Sequence, residues 1–482
     1  MAFVYMLVFL FHPSHYITRL RPEGRGIIPE GDSIKSTDEL DKLSHEELLK
    51  YIKDLQKNIV QEKPKKHSDN SSIAPSTDIN KKKKNQSLRK KSTNKPGGQP
   101  GRVAKTLRQS NKPDIITTIP FSIEHCEKCG SALRDTIEAL KEKRQVLDID
   151  LQQITAKISE YQSFSKICPA CGYENHDNAF TKGVAPHISY GINIQALVSY
   201  LSVSHYLSYA RIVQLVSNLF NVLLSEGTVD RILKRSATAS QSELEKIKAR
   251  LAISGLVGID ETGCKVNGNR HWNWVFQNSE DTLIVVNKSR ATKVIDDTFE
   301  DGFVNACVVH DNYSSYSSLI ARSEQLCLAH KLRDLNYAIE CDNSKEMKDI
   351  KELLKEAMLD HKEEMTIQQR VILKQEYEKS FTYLLEQSTI EKSETHKQIK
   401  SLTKARDKIF TFLLHPNIPP DNNGSERAIR NVKVKLKVSG QFKTVQGAED
   451  YAALRSIVDT SRKRGLNEFD SLRGVLYGDR VF

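Results

Sequence analysis

The sequence predicts a multidomain α/β protein, and three features of its 482 residues support this fold class. Apolar, β-branched runs at residues 256–259 and 302–310 are typical of buried strands. Shorter β-like runs at residues 272–277 and 282–287 lie between them and predict two further strands. Helical periodicity is found on both sides of this region, and the chain is long enough for two to four domains with sizeable cores.

The predicted strands at residues 256–259 and 302–310 are each followed by a carboxylate. The first leads into Asp260 and Glu261, after which Thr262 and Gly263 are expected to turn the chain, and the second leads into Asp311. A carboxylate at the end of a buried strand is costly to desolvate unless a cation lies beside it, and hard cations such as magnesium bind carboxylate oxygens. An acidic turn capping an ordinary hairpin would explain the first carboxylate taken alone. The second carboxylate, which follows a separate strand, favours a cation site that both carboxylates share.

A third carboxylate is expected after a long helical region. Residues 325–330 form a possible fifth strand that leads into a helix, and residues 343–414 are polar and helical in period, which predicts a helical insertion. After two prolines, residues 421–425 supply N-cap side chains, so Glu426 falls in the first turn or two of a helix. Lysines alternate with apolar residues at 432–438, so strand and helix both remain open there.

Asp260, Asp311 and Glu426 fit an architecture in which two strands and one helix direct three carboxylates at one point. Two divalent ions would relieve their repulsion. Such ions can activate a nucleophilic oxygen and stabilise a leaving 3′ oxygen on phosphorus.

Two CxxCG sequences predict a structural zinc site. Cys126 and Cys129 form the first pair, and Cys168 and Cys171 form the second. The two-residue gap lets both thiolates reach one metal, and four sulfurs are the closed tetrahedral set of a structural zinc. Redox-active thiols are the alternative. The other four cysteines lack this spacing and are expected in the core or without a role, and eight cysteines in so long a chain do not suggest a secreted disulfide scaffold.

The positive charge is concentrated in one segment. The chain has 72 lysines and arginines against 61 acidic residues, a formal net charge of +11. Residues 61–110 contain fourteen of the basic residues and three acidic ones, so this segment accounts for the whole excess. Its composition cannot bury enough apolar surface to fold alone, and nucleic acid is the polyanion partner that it indicates. A solvated linker is the alternative.

Helical periodicity is also found at residues 36–60, 190–237, 241–251 and 451–461. The first of these helices is amphipathic and either pairs with a second copy or packs on its own chain. The second segment has the cadence of a helix-turn-helix, and a helical scaffold without DNA contacts is the alternative. Residues 1–11 are apolar but about half the length needed to span a bilayer. They form a buried strand or precede the true start, and the protein is expected in the cytoplasm.

These motifs resemble those of the DDE transposases of the insertion sequence 66 type, and their order agrees as well. The resemblance covers most of the chain from about Lys95 onward. In chain order, the motifs that carry it are Lys95-Pro96-Gly97-Gly98-Gln99-Pro100-Gly101, the paired CxxC sequences, Tyr190-Gly191, Ile259-Asp260-Glu261-Thr262, His310-Asp311-Asn312-Tyr313 with Tyr316, Cys327-Leu328-Ala329-His330 with Arg333, Asp421-Asn422-Asn423 with Glu426-Arg427 and Arg430, and residues 453–460 followed by Lys463, Gly465 and Asn467.

The resemblance implies a ribonuclease-H-like mixed sheet interrupted by a helical insertion, with a zinc-ribbon-like module and a helical domain before it. It also implies DNA cleavage and strand transfer at the terminal inverted repeats of a mobile element, with Asp260, Asp311 and Glu426 as the catalytic residues that hold Mg²⁺ or Mn²⁺. The expected partners are element-end and target DNA, further copies of the chain on that DNA, and companion proteins from the same element. Association with the nucleoid follows from these partners.

The expected boundaries follow from these assignments. They are an N-terminal segment with an amphipathic helix at 1–60, a basic disordered DNA-binding arm at 61–115, a zinc-binding module at 116–180, a helical domain at 181–250, a catalytic domain at 251–440 with its insertion at 343–415, and a C-terminal helical segment at 441–482. The side chains expected to contact DNA are Lys81, Lys82, Lys83, Lys84, Lys95, Arg102, Arg427, Arg430, Lys433 and Lys435.

The chain departs from the family pattern in two places. Lysines stand at 433, 435 and 437, where an Arg-Lys pair is expected, and residues 1–35 have no recognised counterpart. Two other functions stay open. A domesticated zinc-containing DNA-binding regulator need not keep all three carboxylates, and a ribonuclease-H-like nuclease would not need the zinc module and the basic arm.

Overall fold

The computed structural model describes residues 189–387 and 393–482 continuously, together with short stretches between residues 26 and 176. Strands of the continuous part are β1 (Leu256–Val266), β2 (Asn269–Gln277), β3 (Thr282–Asn287), β4 (Phe303–His310) and β5 (Ala321–Leu326). Its α-helices are α1 (Ile192–Val203), α2 (Tyr209–Phe220), α3 (Glu226–Ala239), α4 (Gln241–Ala252), α5 (Lys293–Thr298), α6 (Leu328–Asp342), α7 (Lys345–Asp360), α8 (Ile367–Glu386), α9 (Glu394–Lys404), α10 (Asn423–Ser439), α11 (Val445–Lys463) and α12 (Glu468–Tyr477).

The five strands form one mixed sheet in the order β3-β2-β1-β4-β5. Strand β1 is antiparallel to β2, and β2 is antiparallel to β3. On its other side β1 is parallel to β4, and β4 is parallel to β5. The carboxyl ends of β1 and β4 therefore point the same way. A mixed α/β architecture is confirmed.

Helices cover the sheet on both faces, and alternate residues of β4 show this directly. Ala306 and Val308 belong to one apolar core, which also includes buried residues of α1 to α4, α10 and α11. Cys307 and Val309 belong to a second core, which they share with α6 to α9. Successive side chains of a strand point to opposite faces. The four helices before β1 thus share one core with the sheet.

Helix α11 lies along the edge strand β3 and supplies its missing hydrogen-bond partners. The backbone N–H of Ile284 donates to Ser456 Oγ (2.9 Å), and that of Thr282 donates to Thr460 Oγ1 (3.1 Å). An exposed strand edge is a template for aggregation unless it is covered. The helix predicted at residues 451–461 is present, and it is buried along that whole length.

Strand β1 is longer than the sequence predicts. The chain does not turn at Thr262 and Gly263, because β1 continues to Val266 and pairs with β2 along nine residues. The turn lies at Asn267 and Gly268, whose φ angles are 47° and 76°. Asn-Gly is the preferred two-residue sequence for a hairpin turn with both φ angles positive, and the prediction missed this signal.

Two other predicted elements are changed by the structure. The possible strand at residues 325–330 is wrong for most of its length, because β5 ends at Leu326 and α6 begins at Leu328. Residues 432–438 belong to helix α10. Burial follows helical spacing there, since Ala428, Val432 and Lys435 are buried at steps of four and three residues.

The beginning of the predicted basic arm contacts the insertion side of the fold. Residues 63–71 lie against helix α6, where Asn70 Nδ2 donates to Glu340 Oε2 (2.7 Å) and Asn336 Nδ2 donates to the Asp69 carbonyl (2.8 Å). Asn70 is buried by this contact. The arm is therefore anchored near its start, and residues 81–108 lie outside the described residues.

The predicted N-terminal helix at residues 36–60 and the apolar residues 1–11 lie almost entirely outside the described residues. Within the described part of the chain, none of the helices combines the length and the apolar composition that crossing a membrane requires.

Candidate active site

Strand register brings Asp260 and Asp311 side by side. Parallel pairing of β1 with β4 begins at Leu256 opposite Cys307 and ends at Gly258 opposite Val309. Each aspartate lies two residues beyond the last pair. Because residues two apart point to the same face of a sheet, both carboxylates project where the two strands part.

Glu426 is brought to this place by the first turn of helix α10. The start of α10 is seated directly on β1 at Gly258, where a Cβ atom would lie 2.8 Å from Ser425 Oγ. Asn422 Nδ2 also donates to the Ile259 carbonyl (2.7 Å). A side chain in place of the glycine hydrogen would push the helix away, so the close approach depends on glycine.

Asp260 is partly buried and lies near other negative charges. Burial, followed by the neighbouring charges of Asp311 and Glu261, raises the pKa of Asp260 well above its usual range, and Glu426 adds to the effect. A hydrogen bond from the Glu261 backbone N–H (2.9 Å) opposes it. A like charge nearby and removal from water both disfavour the ionised carboxylate. Asp311 and Glu426 therefore both lie within electrostatic reach of Asp260.

The donor set suits a hard divalent cation. Three carboxylates supply the oxygen ligands that Mg²⁺ and Mn²⁺ accept, and a cation would remove the repulsion at Asp260. In residues 189–387 and 393–482, however, no three His, Cys, Asp or Glu side chains are gathered closely enough to hold an ion as they stand. Binding would require the carboxylates to close around the ion.

Two basic side chains of helix α6 face Glu426. His330 Nε2 lies 3.8 Å from Glu426 Oε1, and an Arg333 guanidinium nitrogen lies 4.0 Å from the same oxygen. His330 Nδ1 is buried and has no hydrogen-bond partner among the described residues. The sequence analysis included both residues in a motif but gave them no place in the site, and it expected His330 at the end of a strand.

Glu261 points away from the three carboxylates, as its position next to Asp260 on a strand requires. Arg290 Nε donates to Glu261 Oε1 (2.8 Å), and the Tyr316 hydroxyl donates to the other oxygen. The same Arg290 guanidinium lies 3.6 Å from the centre of the Tyr313 ring. Glu261 is therefore a buried ion-pair partner beneath the loop that follows Asp311.

The backbone of that loop also holds Asp311. The Tyr313 N–H donates to Asp311 Oδ1 (3.0 Å). One carboxylate oxygen of Asp311 is thus fixed by its own chain.

Basic residues extend from the site along helix α10. Arg427, Arg430 and Lys433 are exposed, and the last two lie four and seven residues after Glu426, on the same helical face. Lys435 is buried, its ammonium lies 5.9 Å from the centre of the Tyr451 ring, and burial lowers its pKa. The position of Lys435 therefore does not support the prediction that it contacts DNA, because the segment follows helical and not strand spacing. The predicted contacts Lys81, Lys82, Lys83, Lys84, Lys95 and Arg102 lie outside the described residues.

The first predicted zinc knuckle has the expected turn. The Gly130 N–H donates to the Cys126 carbonyl (2.8 Å), and Gly130 has a φ of 77°, which favours glycine. Hydrogen bonding with Ser131 lowers the pKa of the Cys129 thiol to about 7, and a thiolate is the form that binds metal. Cys171 is exposed, whereas Cys168 lies outside the described residues, so the zinc site stays a prediction.

The remaining cysteines are consistent with the sequence analysis. Cys264, Cys307 and Cys327 are buried, as expected of core residues, and Cys341 is half-buried.

Comparison with known proteins agrees with the motifs. The family model described as "Transposase IS66 family" matches residues 187–450, more than half of the chain, and this range contains Asp260, Asp311 and Glu426. Comparison with curated proteins finds no match.

Proposed function

The chain belongs to the transposase IS66 family, and we propose that it cleaves DNA at the terminal inverted repeats of an insertion sequence and joins the ends to target DNA. The observation that carries this proposal is the register of β1 and β4. It sets Asp260 and Asp311 each two residues beyond Gly258 and Val309, the last residues at which these two strands pair with each other. Glu426 comes within electrostatic reach of Asp260 from the first turn of helix α10.

In this proposal Asp260, Asp311 and Glu426 hold two Mg²⁺ or Mn²⁺ ions. Bound there, the ions would supply activation of the attacking oxygen and stabilisation of the leaving oxygen at a DNA phosphate. The raised pKa of Asp260 supports such a role, because the ionised site is unfavourable without a cation.

Helix α6 would contribute positive charge on the substrate side. The Arg333 guanidinium is about one-third exposed beside Glu426. A planar guanidinium can bind phosphate oxygens with two parallel hydrogen bonds. Arg333 is therefore suited to hold a DNA phosphate next to the carboxylates, together with His330.

The DNA is proposed to continue along α10 and onto the basic arm. Arg427, Arg430 and Lys433 offer exposed cations near Glu426. Contacts of this kind bind any sequence and weaken with salt. Four cysteines, Cys126, Cys129, Cys168 and Cys171, would hold a structural zinc in the N-terminal half. Further copies of the chain and companion proteins of the same element complete the proposed assembly.

The test is strand cleavage of a duplex that carries the terminal repeat of the encoding element. Asp260→Asn, Asp311→Asn and Glu426→Gln should each abolish cleavage in Mg²⁺, because each change removes activation of the nucleophile and stabilisation of the leaving oxygen together. DNA binding should persist, since most phosphate contacts come from other residues.

Glu261→Gln is the matched control. Its amide keeps an acceptor oxygen for Arg290 or Tyr316, and its side chain faces away from the site. It should lose much less activity than the three variants. If Glu261→Gln is inactive while Glu426→Gln still cleaves element ends, the assignment of the three catalytic residues is wrong.

A further inference from the structure

A set of buried contacts joins the three segments that carry the catalytic carboxylates. Cys327, between β5 and α6, is 1% exposed. Its backbone N–H donates to the carbonyl of His310 (2.8 Å), the residue directly before Asp311. Cys327 is thereby fixed to the end of strand β4.

Asn422 connects this point to the other two segments. Its backbone N–H donates to Cys327 Sγ (3.2 Å), and its side-chain amide donates to the carbonyl of Ile259 (2.7 Å), the residue directly before Asp260. The Asn422 carbonyl accepts the backbone N–H of Glu426 (3.1 Å). Asn422 therefore contacts the main chain at Ile259, next to Asp260, and at Glu426 itself. It also contacts the thiol of Cys327, whose backbone N–H is bonded to His310, next to Asp311.

The environment of Asn422 leaves little room for another arrangement. The residue is 2% exposed, and its side chain makes no capping hydrogen bond to α10, although it occupies the N-cap position. Its Oδ1 would lie 3.1 Å from a Cβ at Gly258. Asn422 Oδ1 itself has no hydrogen-bond partner among the described residues. Losing the thiol would take away the acceptor of the buried Asn422 N–H, and leaving a buried donor unpaired costs more than the hydrogen bond itself contributes.

We propose that Cys327 and Asn422 are positioning residues that set the distance of Glu426 from Asp260 and Asp311. In doing so they determine the affinity of the site for its divalent cation. The inference rests on the proposed function, because it takes the three carboxylates as metal ligands. Groups behind metal ligands commonly change metal affinity by about 10- to 100-fold when they are removed.

Two variants test the contacts, and each has a matched control. Asn422→Ala removes the amide, whereas Asn423→Ala alters an exposed neighbour at the same helix start. Cys327→Ala removes the acceptor of the Asn422 N–H, whereas Cys327→Ser keeps an acceptor. Cys264→Ala is a further control, because it removes a buried thiol of β1 that makes none of these contacts.

The readout is Mn²⁺ binding to the full chain, measured by electron paramagnetic resonance without DNA. The site-specific ions are those lost in Asp260→Asn. Asn422→Ala and Cys327→Ala should weaken binding of these ions by roughly tenfold or more. Cys327→Ser, Asn423→Ala and Cys264→Ala should stay within about twofold of wild type, with the thermal melt of each metal-free variant showing that it is folded.

The outcomes separate the inference from the function on which it rests. If Asn422→Ala and Cys327→Ala bind Mn²⁺ like wild type while Asp260→Asn does not, the positioning role is refuted and the metal site stands. If Cys264→Ala weakens binding as much as Cys327→Ala, the effect is general loss of packing and the inference fails. If Asp260→Asn binds Mn²⁺ like wild type, the metal-binding function itself is wrong.

Discussion

Gly258→Ala should distort the proposed active site through a single methyl group. The added Cβ would come closest to the flexible Gln277 amide, and it would lie 2.8 Å from Ser425 Oγ and 3.1 Å from Asn422 Oδ1. Ordinary contacts at such a position begin at 3.4 Å. Ser425 would have to retreat by about 0.6 Å and Asn422 by about 0.3 Å, so the start of helix α10 would move away from β1.

The size of the effect follows from this displacement. Overpacking a buried site typically costs about 1–3 kcal/mol of stability. A misplacement of about 1 Å can cost about a hundredfold in rate, so a shift of about half that distance at Glu426 should slow cleavage by about tenfold. We expect a lower melting temperature and a slower cleavage rate together.

Gly263→Ala is the control, because it adds the same methyl group to the same strand. Its Cβ would lie 3.8 Å from the Trp272 ring, which is an ordinary contact. Thermal melts and single-turnover cleavage of an element-end duplex should therefore leave Gly263→Ala close to wild type. If Gly258→Ala matched it in both measurements, the close seating of α10 on β1 would have no consequence for the site.

Three further predictions concern other parts of the chain. Burial lowers the pKa of Lys463 from 10.5 to about 8. At pH values between these two, the unfolded chain holds a proton that the folded protein lacks. The free energy of unfolding should therefore rise with pH across this window, by about 3 kcal/mol relative to Lys463→Met. Chemical unfolding of both proteins at pH 7.5 and 10 would measure this, and parallel pH profiles would contradict it. Cys126→Ser should lose the zinc, which metal analysis of protein purified without chelator can establish, and wild-type protein free of zinc would rule the site out. Deleting residues 61–110 should flatten the dependence of log K, where K is the association constant for duplex DNA, on the logarithm of the salt concentration. The slope should fall by about 0.9 for each phosphate that the shortened protein no longer neutralises. An unchanged slope would mean that the segment is only a linker.

Much of the architecture could be predicted from local sequence. The strands at residues 272–277 and 282–287 are present, since aromatic and β-branched side chains favour strands. The three carboxylates could be chosen as well, because two of them follow apolar strands and the third follows a cluster of N-cap residues. Sequence could also place Glu261 on the opposite face from Asp260, since strand geometry alternates side chains.

What the sequence left open depended on contacts between distant segments. Residues 432–438 are compatible with both strand and helix periodicity, and only packing of Val432 and Lys435 against the core selected the helix. Tertiary context overrides weak local preference in such a case. The length of β1 is different, because the Asn267-Gly268 turn at its end is a local signal that the prediction missed.

By itself, the sequence determined the family motifs, the concentration of positive charge and the choice of the three candidate carboxylates. Tertiary structure decided how those carboxylates approach one another. Parallel register aligns Asp260 with Asp311, and the missing side chain at Gly258 lets Asn422 reach β1 and bring Glu426 with it. A hydrogen bond between residues 163 positions apart, such as that from Asn422 to Ile259, leaves no periodic trace in either segment, because each partner is chosen by the fold and not by its neighbours along the chain.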